Sequence, residues 1–302
     1  MEAVKLSYSS TIPRHLVHRQ SVGEVFLTDY QLSASREDRV AVQLPASHRI
    51  FRPIGKRHDP LIAAEAFRQS VILLCHNKYA VPSDFKFLME QFAFEVVDEL
   101  EVRSVPTPLV FDLNTARAAS GASNACRLEV DGVLRDGSRI LAKASAVTRC
   151  VTPESYRRIR AGRASHVAAI RNKPPGTAVI PSADVGRLEE QDVVLCRRGT
   201  ESSVFFAPDP SNLALFDHPV DHIPGMVMFD AAVQAVRNRL SNPRLHLMRL
   251  SAQFPTFTEW DVPCLVDVQS HTSTAGEYSN FVVKFKQEDA CTAHLDISVS
   301  SC

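Results

Sequence analysis

Apolar residues fall along this chain in two rhythms. Over 60–76 they occupy almost every side of a helical wheel (Pro-Leu-Ile-Ala-Ala-Glu-Ala-Phe-Arg-Gln-Ser-Val-Ile-Leu-Leu-Cys-His), which predicts a helix enclosed by the fold and not lying on its surface. Pro60 suits the first helical position, and Asp59 ahead of it suits the cap. A second such stretch, roughly 225–240, follows Pro224-Gly225 and closes on Val-Arg-Asn-Arg-Leu, with cations in the last turns where the helix dipole favours them. Elsewhere the period is two. Residues 25–27, 40–44, 92–96 and 140–147 read as strands in the first half, and 193–196, 203–206, 264–268 and 278–285 in the second. Asp131-Gly132, Asp136-Gly137 and Ala275-Gly276 read as turns. Each half is thus one or two strands, a buried helix and a run of antiparallel strands, an α+β layout with a curved sheet around a helix.

The two helices share a frame. Glu65-Ala66-x-x-Gln69 recurs as Asp230-Ala231-x-x-Gln234, with a His and a Pro ahead of each copy (His58 and Pro60, His222 and Pro224). The carboxylates lie 165 positions apart in a chain of 302, which points to a duplicated domain. The predicted division is a first domain over 1–165, a linker over 166–179 containing Asn172-Lys-Pro-Pro-Gly-Thr, and a second domain over 180–302.

Composition narrows the function classes. The hydrophobic fraction of 45% and charged fraction of 23% are those of a globular protein, and zero net charge provides no bulk field for nucleic acid or an anionic membrane. No stretch nears the roughly 20 apolar residues that span a bilayer, and the first residues lack a signal-peptide core, so a cytoplasmic location is expected. Seven dispersed cysteines without a C-x-x-C pair predict reduced thiols, and no Cys/His cluster has metal-ligand spacing. His218 and His222 come nearest, but Pro219 between them opposes a helical pair.

Pro-Gly opening a helix with a carboxylate six residues on from the Pro is similar to the hotdog fold of hydroxyacyl-carrier-protein dehydratases, although their separate catalytic His motif is not reproduced. A fuller match lies elsewhere. Leu16-Val17-His18-Arg19, then Glu24-Val25-Phe26-Leu27-Thr28-Asp29, resembles the opening signature of the A-factor synthase family, the γ-butyrolactone signal biosynthesis proteins of actinomycetes. So do Asp59-Pro60 leading to Glu65, the joint Thr152-Pro153-x-x-Tyr156-x-Arg158-x-Arg160, and Asp221-His222-x-Pro224-Gly225-Met226. These motifs run in order through both halves. The resemblance implies a tandem (double) hotdog fold, two antiparallel curved sheets each wrapping a central buried helix. It implies an acyltransferase that takes a β-ketoacyl chain from acyl carrier protein, joins it to the hydroxyl of dihydroxyacetone phosphate, and so provides a butenolide, γ-butyrolactone or furan signal precursor. The acyl group arrives as a phosphopantetheine thioester and no other cofactor is implied. Monomer and homodimer both remain open. One departure is Val233, where the family carries Arg three positions after its second acid.

Direct acyl transfer needs a deprotonated hydroxyl and a stabilised oxyanion, and no G-x-S-x-G nucleophile elbow is present. Glu65 is the expected general base, its apolar neighbours raising its pKa and Arg68 pulling it back. Asp230 is its counterpart, with helix capping or core hydrogen bonding as the alternative role. Gln69 and Gln234 are expected to hold the carboxylates. Gly225 offers free N–H groups at a helix start. Arg68 is counted with Glu65 and Asp230 among the candidate catalytic residues; His18, Arg19, His222 and Arg237 are candidate substrate-binding residues, and either Arg68 or Arg237 is a candidate phosphate ligand. The basic run Arg157, Arg158, Arg160 and Arg163 is a candidate docking face for an acidic carrier protein. A dehydratase or thioesterase acting on an acyl thioester is the competing enzyme reading, and an acyl-binding protein without catalysis is the third.

Overall fold

The computed structural model describes residues 5–34, 37–119, 126–161, 173–218, 220–271 and 278–300. Arg163, positions 166–172 of the expected linker, Pro219, the Ala275-Gly276 turn and Cys302 lie outside the described residues. The chain divides into two compact units, Met1–Arg163 and Ala164–Cys302.

The first unit contains strands β1 (Leu27–Gln31) and β2 (Glu37–Val42), helix α1 (Pro60–Asn77), then β3 (Lys86–Val96), β4 (Leu109–Ala119), β5 (Cys126–Asp136), β6 (Arg139–Val151) and the short helix α2 (Pro153–Ile159). Its sheet runs β1-β2-β4-β5-β6-β3 with every neighbour antiparallel. Asp59 caps α1 by accepting the Leu61 N–H at 3.0 Å, and all but three residues of the helix are buried, as its unbroken apolar surface requires. Register shifts at Met89/Gln91 and Leu134/Arg135 mark bulges, which bend strands.

Gly132 is not the turn its Asp-Gly pair predicts. It lies inside β5, opposite Leu113 and Ala144. A Cβ there would come within 2.6 Å of the Phe67 ring of α1. The glycine exists to let the helix approach the sheet, where Phe67 packs against Phe92 and Phe111 at centroid distances of 5.7 and 5.5 Å. Asp136-Gly137 is a true turn, with Gly137 at φ +58°.

The second unit contains β7 (Thr177–Val179), β8 (Leu195–Arg198), β9 (Val204–Phe206), helix α3 (Gly225–Leu240), β10 (His246–Gln253), β11 (Cys264–His271), β12 (Ser279–Gln287) and β13 (Ala290–Ser300). Here the order is β10-β13-β12-β11-β9-β8-β7, again antiparallel throughout. Positions 227–237 of α3 are all buried. Among the described residues no helix is long and apolar enough to cross a membrane. The six described cysteines are free thiols, five of them buried.

Candidate active site

In each unit a short 3-10 turn passes alongside the central helix, and a glutamine of the helix fastens it. In the first unit the Gln69 amide nitrogen donates to the Glu24 carbonyl (2.7 Å) and to Glu65 Oε1 (2.9 Å), while its oxygen accepts the Phe26 N–H (3.0 Å). Every polar group of this buried side chain is thereby used. Glu65 is fully buried, and its carboxylate is gripped from two sides. Arg68, one turn on, donates Nε to Oε2 (2.7 Å) and Nη2 to Oε1 (2.8 Å). Arg19 reaches Oε1 at 2.5 Å from the residue that follows the Arg14–Val17 turn and His18.

Burial pushes the Glu65 pKa up, but the pull of Arg19 and Arg68 together with hydrogen bonds from Arg68 and Gln69 outweighs it and holds the carboxyl at about 2. The raised pKa expected of a general base is therefore not found. Both Glu65 oxygens are occupied by donors, and an acid this strong is a weak proton acceptor at neutral pH. Its two cations outnumber it. The Arg19 and Arg68 side chains are 16% and 21% exposed beside a sealed carboxylate, and the three groups together carry one more positive than negative charge.

The second unit repeats the scaffold with different charges. Gln234 donates to the Asp192 carbonyl (3.1 Å) and Asp230 Oδ2 (2.8 Å) and accepts the Val194 N–H (3.2 Å). Asp230 pairs with the Nη2 of Arg187, which follows the Ser182–Val185 turn and Gly186 as Arg19 follows its own turn. Both partners are 2% exposed. Val233, buried, stands where the first unit has Arg68. One cation meets one anion here, and the pair is closed from solvent.

Of the residues singled out from the sequence, the structure gathers Arg19, Glu65, Arg68 and Gln69 into one cluster and Asp230 and Gln234 into another. His18 goes elsewhere. Its Nε2 meets His76 Nε2 at 2.7 Å, with Phe87 edge-on at 4.7 Å, and His76 lies eleven residues, about 16 Å of helix rise, beyond Glu65. Arg237 does not offer a phosphate ligand, because it is buried against Gly186 and donates to the Leu245 carbonyl at 3.3 Å. His222 bonds Asp221 at 2.8 Å and packs edge-on to Phe257. Gly225 begins α3 after Pro224, and no side chain caps the first N–H groups. Of the described residues of the basic run, Arg157 and Arg158 are exposed and Arg160 is buried.

Arg187 was not singled out from the sequence, although a signal exists. Ile12-Pro13, Val17-x-Arg19 and Glu24-Val25-Phe26-Leu27 recur, each 168 positions on, as Ile180-Pro181, Val185-x-Arg187 and Asp192-Val193-Val194-Leu195. The structure matches them contact for contact, including Ile12 N–H to Leu27 O (3.0 Å) and Ile180 N–H to Leu195 O (3.1 Å).

An antiparallel sheet around a buried helix that presents an acid clamped by glutamine defines a hotdog-type protein with an ionic site on its central helix. The A-factor biosynthesis hotdog domain model matches residues 4–152 and again 168–302, and the chain belongs to that family. It is similar to the 2-oxo-3-(phosphooxy)propyl 3-oxoalkanoate synthase of Streptomyces coelicolor, 32% identical over 84% of this chain and 81% of the relative. The Streptomyces virginiae protein of the same description is 31% identical over 86% and 88%. Among solved structures, the 12:0-ACP thioesterase from Umbellularia californica shares the fold at 9% identity, with a TM-score of 0.53 over 89% of this chain and 99% of that one.

Proposed function

We propose that this protein is an acyltransferase that joins a β-ketoacyl chain to the free hydroxyl of glycerone phosphate (dihydroxyacetone phosphate), giving the phosphorylated ester from which a butenolide, γ-butyrolactone or furan signal is made. The product named for its Streptomyces relatives is the ester of a 3-oxo acid with that three-carbon phosphate. The observation that carries the reading is the surplus cation of the first unit. Arg19 and Arg68, held rigid by Glu65 and partly exposed, suit a phosphate, which arginine forks bind through paired hydrogen bonds. Glu65 is then an anchor that orients two guanidiniums, and the second unit's Arg187–Asp230 pair is a structural counterpart.

Direct transfer from the thioester to the hydroxyl is favoured over an acyl-enzyme. Burial raises the thiols of Cys196 and Cys264, the latter to about 12, which withholds the thiolate a nucleophile needs. We read the fold as a tandem hotdog, with domains over 1–165 and 180–302. The donor is an acyl carrier protein thioester in the cytoplasm, and no cofactor beyond its phosphopantetheine is required.

The test incubates purified protein with a medium-chain β-ketoacyl carrier-protein thioester, with and without glycerone phosphate, and follows products by mass spectrometry. A phosphorylated ester that needs the acceptor, with KM for glycerone phosphate raised at least tenfold in Arg68→Gln, is the expected result. Free β-keto acid formed equally without acceptor would make the protein a thioesterase.

A further inference from the structure

Glu65 cannot readily take the acceptor's proton, so the transfer proposed above leaves that role to another group. We propose that Glu24, positioned by His48, is the proton acceptor; this rests on the acyltransferase reading.

Glu24 is the last residue of the Val22–Glu24 turn, and its backbone carbonyl is what the Gln69 amide holds while also bonding Glu65. The residue is therefore joined to the anion cluster through one side chain. Its carboxylate is 27% exposed, where the Glu65 carboxylate is sealed. Glu24 Oε2 lies 3.1 Å from His48 Nε2. The far nitrogen, His48 Nδ1, accepts two backbone N–H groups, Ile50 at 3.2 Å and Phe51 at 3.0 Å. A ring nitrogen that accepts carries no proton, so the imidazole is fixed as the Nε2–H tautomer and donates to Glu24. The ring is stacked on Phe51 at 4.9 Å with planes 18° apart and edge-on to Phe26 at 5.8 Å. His48 is consequently a rigid donor that holds the Glu24 carboxylate in one orientation.

The second unit shows the same device without the chemistry. Asp192 replaces Glu24 and Asn212 replaces His48. The Asn212 amide donates to Asp192 Oδ1 at 2.9 Å, and its oxygen accepts the Ala214 N–H at 3.0 Å. Asp192 and Asn212 are both buried. The first unit instead has the longer acid, and its side chain is 27% exposed. His18, the other basic candidate, is directed along α1 away from Glu65.

In the proposed step Glu24 takes the proton of the glycerone phosphate hydroxyl as its oxygen bonds to the thioester carbonyl carbon. The C–S bond then breaks, and protonated Glu24 returns the proton to the departing pantetheine thiolate. Alcohol and thioester become ester and thiol, with no other reactant.

The experiment compares wild type, Glu24→Gln, His48→Asn and His48→Ala in the transfer assay, with folding checked by far-UV circular dichroism. Glu24→Gln is expected to lower kcat at least 100-fold, within the range of general acid–base catalysis, with KM for glycerone phosphate within twofold of wild type. His48→Asn, which copies the second unit, keeps kcat within about fivefold, whereas His48→Ala loses more than tenfold; a purely structural role for His48 would lower stability in both without this split in kcat. A folded Glu24→Gln with kcat within threefold of wild type, or a loss confined to KM, overturns the proposal while the transferase reading stands. Wild type that forms no phosphorylated ester overturns both.

Discussion

Glu65→Gln isolates what the two arginines do for the first unit. The wild-type carboxyl, held at about 2 against an ordinary 4.5, is worth about 3 kcal/mol of folding stability at neutral pH. The sign follows from the depressed value: the unfolded chain binds the proton more readily, so the contribution is fully present above pH ~4.5 and is lost as pH falls toward 2. Glutamine is the same size and keeps an acceptor, but it leaves Arg19 and Arg68 facing each other without an anion. The variant should be about 3 kcal/mol less stable than wild type at pH 7. Between pH 6 and pH 3 the gap should narrow by about 2 kcal/mol, because only wild type loses stability through this group. Urea unfolding followed by far-UV circular dichroism at intervals across that range measures it. A gap that stays constant from pH 6 to pH 3 would refute the account, since the cost would then come from shape or hydrogen bonding and not from a preferentially stabilised carboxylate.

Three further outcomes are expected. Arg187→Gln alone should cost 3–5 kcal/mol by stranding buried Asp230, whereas Arg187→Gln with Asp230→Asn should cost much less and leave transfer intact; loss of transfer in the folded double variant would return the second pair to the active site. Gly132→Ala should destabilise by about 1–3 kcal/mol through its clash with Phe67, and Phe67→Leu in the same chain should recover part of that in thermal melts. Asp59→Ala should cost about 1 kcal/mol by uncapping α1, seen as faster hydrogen exchange in its first turn.

What could be read from the sequence was whatever a short local pattern dictates. Helices α1 and α3 declared themselves because a continuous apolar surface and a Pro opening have few other uses, and the repeated acid–Ala–x–x–Gln frame marked the face that matters. Strands β4, β5, β7, β10 and β13 are not evident from the alternation. In β5 the pair Asp131-Gly132 carries a strong local turn signal, overridden because the sheet needs a position without a side chain beneath Phe67. The balance that sets the Glu65 pKa is hidden for a related reason. Burial and Arg68 were visible on the helix, but Arg19 comes from 46 residues upstream, and only the fold sets it beside Oε1. Arg187 is hard to find because the second copy of the turn is carried by scattered single residues, whereas the helices repeat a contiguous frame. The partnership of Glu24 with His48 has no signature at all, since the spacing of 24 residues reflects a loop length and not an element.

The glutamine clamp has a consequence for how such a chain diverges after duplication. In each copy one neutral amide keeps the passing backbone in register, bonding a carbonyl and an N–H as a neighbouring strand would. Holding the architecture together is therefore assigned to a residue that takes no charge, and the acids and cations around it are free to change. A copy can shorten Glu to Asp, exchange Arg for Val and swap an imidazole for an amide, retiring as a reagent while it persists as a fold.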